Sequence, residues 1–110
     1  TGTHDNDTTM GWLADLHEGT RDWMLTQVAE EAGEMPWPLI VTALRSVADR
    51  VIVPMQDWLA LDGSHRMNVP GTTENNWNWQ FQWSQVPQKL AARIHHWVAD
   101  AERLPPAGDR

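Results

Sequence analysis

His4-Asp5 stands inside the run Thr1-Gly2-Thr3-His4-Asp5-Asn6-Asp7-Thr8-Thr9, which crowds an imidazole, carboxylates and hydroxyls into one short stretch. A lone carboxylate does not run two-group acid/base chemistry, which in glycoside cleavage needs a pair. Asp5 could instead stabilise a developing positive charge, or grip two hydroxyls of a ring through its two acceptor oxygens. His4 could then donate to a third hydroxyl. A plainer reading makes Asp5 a capping residue and His4 a satisfied histidine ahead of a helix; the residues alone leave both open. A second constellation is Arg66-Met67-Asn68-Val69-Pro70-Gly71, followed by Trp77 and Trp79. It offers donors, an amide and ring faces, which suit an uncharged ligand rich in hydroxyls. The same residues also suit a structured loop anchored by tryptophan packing.

Other chemistries fit poorly. Asp5-Asn6-Asp7 opens like a calcium loop, but the glycine position falls on Met10 and the bidentate acid position on Leu16. His95 and His96 are adjacent on a helical stretch, so they point about 100° apart and read as a surface pair rather than metal ligands. There is no glycine-rich phosphate loop, no HExxH and no GxSxG. No metal and no cofactor are expected. Asn6-Asp7-Thr8 matches a glycosylation sequon and reads as chance. A net charge of -7 argues against nucleic acid or an anionic membrane as partner. The absence of cysteine excludes disulfides and thiolate metal sites and fits a reducing, cytoplasmic setting. No apolar run is long enough to span a bilayer, and no signal-peptide pattern opens the chain. Of the nine aromatic residues eight are Trp and one is Phe. Trp fills cores and also stacks on sugar rings; composition favours the core.

These residues need elements to hold them. Thr8 or Thr9 can cap a first helix carrying Met10, Trp12, Leu13 and Leu16. A second helix is predicted over Arg21 to Ala32, stopped by Gly33. A third starts at Pro36 and Pro38 and buries Leu39, Ile40, Ala43, Leu44 and Val47. Val51-Ile52-Val53 is short, continuous and β-branched, the pattern of a strand buried on both faces, ended by Pro54. A short helix is predicted over Trp58 to Leu61. Residues 62–82 form a long polar loop, of the kind that is functional or disordered, and its tryptophans argue against disorder. A last helix from near Pro87 buries Leu90, Ile94, Trp97, Val98 and Ala101. With Thr1 to Thr3 read as the end of a strand, the order becomes two βα units, with polar residues just after each strand, where α/β folds place their sites.

Together these segments strongly resemble the C-terminal portion of the amylomaltases, or 4-α-glucanotransferases, of the α-amylase clan. The resemblance rests on residues 1–9 with Gly11-Trp12, Pro36-Trp37, Ser46-Val47-Ala48, Pro54-Met55-Gln56-Asp57, Arg66-Met67-Asn68 with Pro70-Gly71, and Asn76-Trp77-Asn78-Trp79. Asp62-Gly63-Ser64-His65 and Asn75 depart from the family's usual residues. The resemblance implies an α/β fold, mostly helical by residue count: roughly the last two βα units of a (β/α)8 TIM barrel over residues 1–104, with a tail at 105–110. It implies transfer of a segment of an α-1,4-glucan to the 4-hydroxyl of a glucose or maltooligosaccharide acceptor, with retention. It matches Asp5 to the carboxylate that stabilises the transition state, His4 to a sugar-binding histidine, and Asn68 to a loop asparagine beside the glucan. The family's nucleophile and acid/base have no counterpart here, so the chain is expected to open inside a domain. An α-glucan hydrolase of the same clan and a non-catalytic carbohydrate-binding module are the alternative readings.

Overall fold

Thr8 has extended backbone (φ −61°, ψ 156°), and its hydroxyl accepts from the Gly11 N–H at 3.1 Å, so α1 runs Thr9–Asp15. The computed structural model describes residues 1–3 and 5–105. It continues through α2 (Glu18–Leu25), α3 (Trp37–Leu44), α4 (Met55–Trp58) and α5 (Leu90–Asp100), with 3-10 turns at Glu30–Ala32, Gly63–His65 and Trp83–Gln85. His17 opens α2 by accepting the Gly19 N–H through Nδ1. α2 stops earlier than its apolar spacing predicts. Thr26 turns its hydroxyl back onto the Trp23 carbonyl at 2.6 Å, and the Ala29 N–H bonds instead to the Thr42 hydroxyl of α3 at 3.0 Å. Gly33, at φ 106°, ends the following 3-10 turn.

α3 carries the most deeply buried side chains, Ile40 and Val41, both 0 % exposed. Ala32, Trp37, Val41 and Leu90 form the core cluster, with Met55, Trp58, Leu59, Ile94 and Trp97 packed around it. The Trp37 and Trp58 rings lie 5.4 Å apart. Arg93 of α5 sets its guanidinium 3.9 Å over the Trp37 ring and donates to the Ala32 carbonyl at 2.9 Å. One cation thus closes the core and satisfies a backbone acceptor beside it. Arg103 satisfies backbone acceptors at the end of α3, donating to the carbonyls of Leu44, Ser46 and Ala48. α5 follows its predicted stripe, with Leu90 buried and Ile94, Trp97 and Val98 half-buried. Val47, predicted on the buried face of α3, is fully exposed because that helix ends at Leu44.

The α/β expectation is overturned. Among the described residues there is no strand and every regular element is a helix or 3-10 turn, so neither two βα units nor a TIM barrel describes them. The reason lies in Val51-Ile52-Val53. A β-branched run becomes a strand only when a neighbouring backbone supplies the other half of a ladder. Here the backbone bond that the run receives is the Thr1 amine donating to the Ile52 carbonyl, and Ile52 is 72 % exposed rather than buried on both faces. Thr1 to Thr3 likewise join no ladder. The helix predicted over Trp58 to Leu61 falls earlier, at α4, directly after Pro54. The predicted boundary at residue 104 and the tail 105–110 reach outside the described residues from Pro106 onward.

Candidate functional site

The turn ahead of α1 is tied together at several levels. The Asn6 N–H donates to the Thr3 carbonyl at 3.1 Å, closing the turn that contains Asp5. Asp7 accepts the Thr8 N–H at 2.7 Å. Asp7 also packs into a slot without side chains: a Cβ built on Gly11 would stand 2.3 Å from its Oδ1, and one on Gly63 2.9 Å from the same atom. Gly11 and Gly63 thus let a carboxylate sit between α1 and the 63–65 turn.

Sequence positions far apart converge on this turn. Asn68 Nδ2 donates to Asp5 Oδ1 at 2.7 Å, and the Arg66 guanidinium donates to the Asp5 carbonyl at 3.1 Å. Two of the three residues singled out from sequence, Asp5 and Asn68, are therefore in direct contact; His4 lies outside the described residues. Asp5 is exposed, and the Asn68 amide holds its carboxylate in place.

The loop carrying Asn68 holds its own shape. Asn76 accepts the Val69 N–H at 2.9 Å and donates to both the carbonyl and the hydroxyl of Thr72 at 3.0 Å. The Trp77 N–H reaches the Met67 carbonyl at 2.6 Å. Trp79 Nε1 donates to His65 Nδ1 at 3.0 Å, and buried Gln56 donates to the His65 carbonyl at 3.2 Å. Trp79 is thereby a structural anchor, whereas Trp77 is 60 % exposed. Just upstream, the Ser64 hydroxyl and N–H both donate to Asp62 and hold its carboxyl below the usual carboxylate range.

Two open clefts flank the turn. One of about 590 Å³ is bordered by Asp5, Asn6, Asp7, Thr9, Trp12 and Leu39, and one of about 270 Å³ by Asn6, Asp57, Arg66, Met67 and Trp77. The larger is within the range of small-molecule sites, about 300–1,000 Å³. Among the described residues no group of three or more His, Cys, Asp or Glu is placed to hold a metal ion. What sequence reasoning missed is Asp57, 2 % exposed, which accepts the Thr9 N–H and hydroxyl at 2.8 Å each and the Thr1 hydroxyl as well. The sequence marked it only as a polar residue shortly after the Val-Ile-Val-Pro run, with nothing to point to Thr1 or Thr9 as its partners.

The fold has a solved counterpart. The chain is similar to part of the amylomaltase from Streptococcus agalactiae, solved in complex with acarbose, with a TM-score of 0.83 at 24 % identity, covering 96 % of this chain and 21 % of that one. A family model described as 4-alpha-glucanotransferase matches residues 1–86, and the chain belongs to that family. It is 40 % identical over 112 residues to the 4-alpha-glucanotransferase of Thermus thermophilus, covering 94 % of this chain and 22 % of that protein. With the chloroplastic/amyloplastic 4-alpha-glucanotransferase of Oryza sativa subsp. japonica it shares 47 % over 81 residues, 73 % of this chain and 14 % of the relative. The chain thus spans about a fifth of the length of these relatives. Among the described residues no helix is long and apolar enough to cross a membrane.

Proposed function

We propose that this chain contributes the charge-stabilising carboxylate and part of the sugar site of a 4-α-glucanotransferase. The reaction moves a segment of an α-1,4-glucan to the 4-hydroxyl of a glucose or maltooligosaccharide acceptor by a retaining double displacement. Asp5 stabilises the transition state, and His4 and Asn68 bind sugar. The observation that carries this reading is the 2.7 Å bond from Asn68 to Asp5, made between two distant segments of a chain whose relatives are glucanotransferases.

The physics suits the role. Glycosyl transfer passes through an oxocarbenium-like state. A carboxylate already fixed where that charge develops stabilises the transition state more than the ground state. Asn68 and Arg66 fix Asp5 before substrate arrives, so little reorganisation is left to the reaction itself. The nucleophile and acid/base of the mechanism have no counterpart by family position in this chain.

The test is a whole glucanotransferase in which residues 1–110 replace the matching stretch of the Thermus thermophilus enzyme. From maltotriose this chimera should give glucose and longer oligomers. Asp5→Asn should lower its turnover about 1,000-fold or more, with a stability change within about 0.5 kcal/mol, as at other surface positions. Undiminished turnover in Asp5→Asn would falsify the assignment, and hydrolysis without longer products would point to a hydrolase of the same clan.

A further inference from the structure

We infer that Asp57 is a positioning residue for Asp5, a step that rests on the role of Asp5 proposed above. Asp57 clamps both ends of the segment that presents Asp5. Its carboxylate accepts the Thr1 hydroxyl on one side of the turn and the Thr9 N–H and hydroxyl on the other. Asp5 lies midway in sequence between Thr1 and Thr9, so one buried side chain ties down both ends of the segment that carries it.

The residue type matters. These three donors converge on two oxygens, and an ionised carboxylate is an acceptor only, with lone pairs enough for all of them. An amide would turn a donor toward Thr9. The clamp is itself rigid: Asp57 is 2 % exposed and sits in α4, with its N–H on the Pro54 carbonyl at 2.9 Å. Arg66 and Asn68 hold Asp5 itself, from the 66–77 loop. Asp5 is thus located by two independent supports, and Asp57 supplies the one that reaches it through the backbone. Displacing a reacting group by about 1 Å costs about 100-fold in rate.

A purely structural Asp57 would also lose stability on substitution, so the test reads coupling to Asp5 in the chimera. Asp57→Ala should lower kcat on maltotriose about 100-fold and leave KM within about threefold, because the lost interaction acts at the reacting ring. Asp57→Asn, which keeps one acceptor oxygen, should fall between wild type and Asp57→Ala. In an Asp5→Asn background the further loss from Asp57→Ala should shrink to about threefold or less, since residues acting through one group are not additive. An equal loss in both backgrounds, or an unchanged kcat in Asp57→Ala, overturns the inference. Should Asp57→Ala not fold, Thr9→Val removes the hydroxyl and keeps the N–H; its loss of kcat, about tenfold or one hydrogen bond's worth, must vanish in the Asp5→Asn background. A fully active Asp5→Asn single variant would instead remove the reading of Asp5 on which the inference stands.

Discussion

Gly11 and Gly63 carry no side chain, and the Asp7 carboxylate occupies the space that a Cβ would take at either position. Gly11→Ala forces that carboxylate out of its slot and away from the Thr8 N–H, because 2.3 Å is far inside contact distance. The expected cost is about 1–3 kcal/mol of overpacking, seen as a lowered melting temperature of the chimera. Gly63→Ala, at 2.9 Å, should cost less. A Gly11→Ala variant with unchanged melting would mean that Asp7 relaxes freely. At this scale the sequence singled out Asp5 and Asn68 as candidates because each lies in a dense run of polar residues, and the structure brings the two into contact. Asp57 was not: its partners Thr1 and Thr9 are 56 and 48 residues away, and nothing local to α4 announces them.

Arg103 decides how α3 ends. The last carbonyls of a helix lack intrahelical donors; the Arg103 guanidinium donates to that of Leu44 at 2.6 Å and to those of Ser46 and Ala48, just beyond the helix, at 3.1 and 2.7 Å. Arg103→Met keeps much of the apolar stem and removes the donors. It should destabilise the chimera by about 1.5–3 kcal/mol, the range for hydrogen bonds to charged groups; a loss below the error of a urea titration would show that water replaces the guanidinium. Helices α1, α3 and α5 were legible because their caps, prolines and apolar spacing are local signals. α2 was overrun because Thr26 and the Ala29–Thr42 bond, which break it, are invisible to periodicity. Val51-Ile52-Val53 misled for the opposite reason. Its composition is that of a strand, but a strand is a pairwise object, and Ile52 faces solvent.

For the whole molecule the balance between surface and core is unfavourable. The accessible surface is 7788 Å², against about 6,200 Å² for a folded monomer of this mass. The radius of gyration is 15.1 Å, against about 13 Å for a domain of this length. The excess is apolar in part: Trp23, Ile52, Trp77 and Trp83 all stand exposed. Among the described residues the core cluster is Ala32, Trp37, Val41 and Leu90, and burying a large apolar side chain contributes about 1.5–3 kcal/mol before chain entropy is subtracted. The 110-residue chain by itself should therefore melt gradually when followed by far-ultraviolet circular dichroism, bind a hydrophobic dye at room temperature, and take up no measurable heat on titration with maltoheptaose. The proposed site residues would then be present without the rigidity that places them, since Asp5 is held by Arg66 and Asn68 of the 66–77 loop and, on the inference above, through Asp57 of α4. A sharp, cooperative transition above about 45 °C, within the range of ordinary mesophilic domains, would show that α3, α5 and the Arg93 and Arg103 ties suffice for an autonomous fold. Maltoheptaose binding under the same conditions would show that the Asp5–Asn68 pair is organised without any further chain.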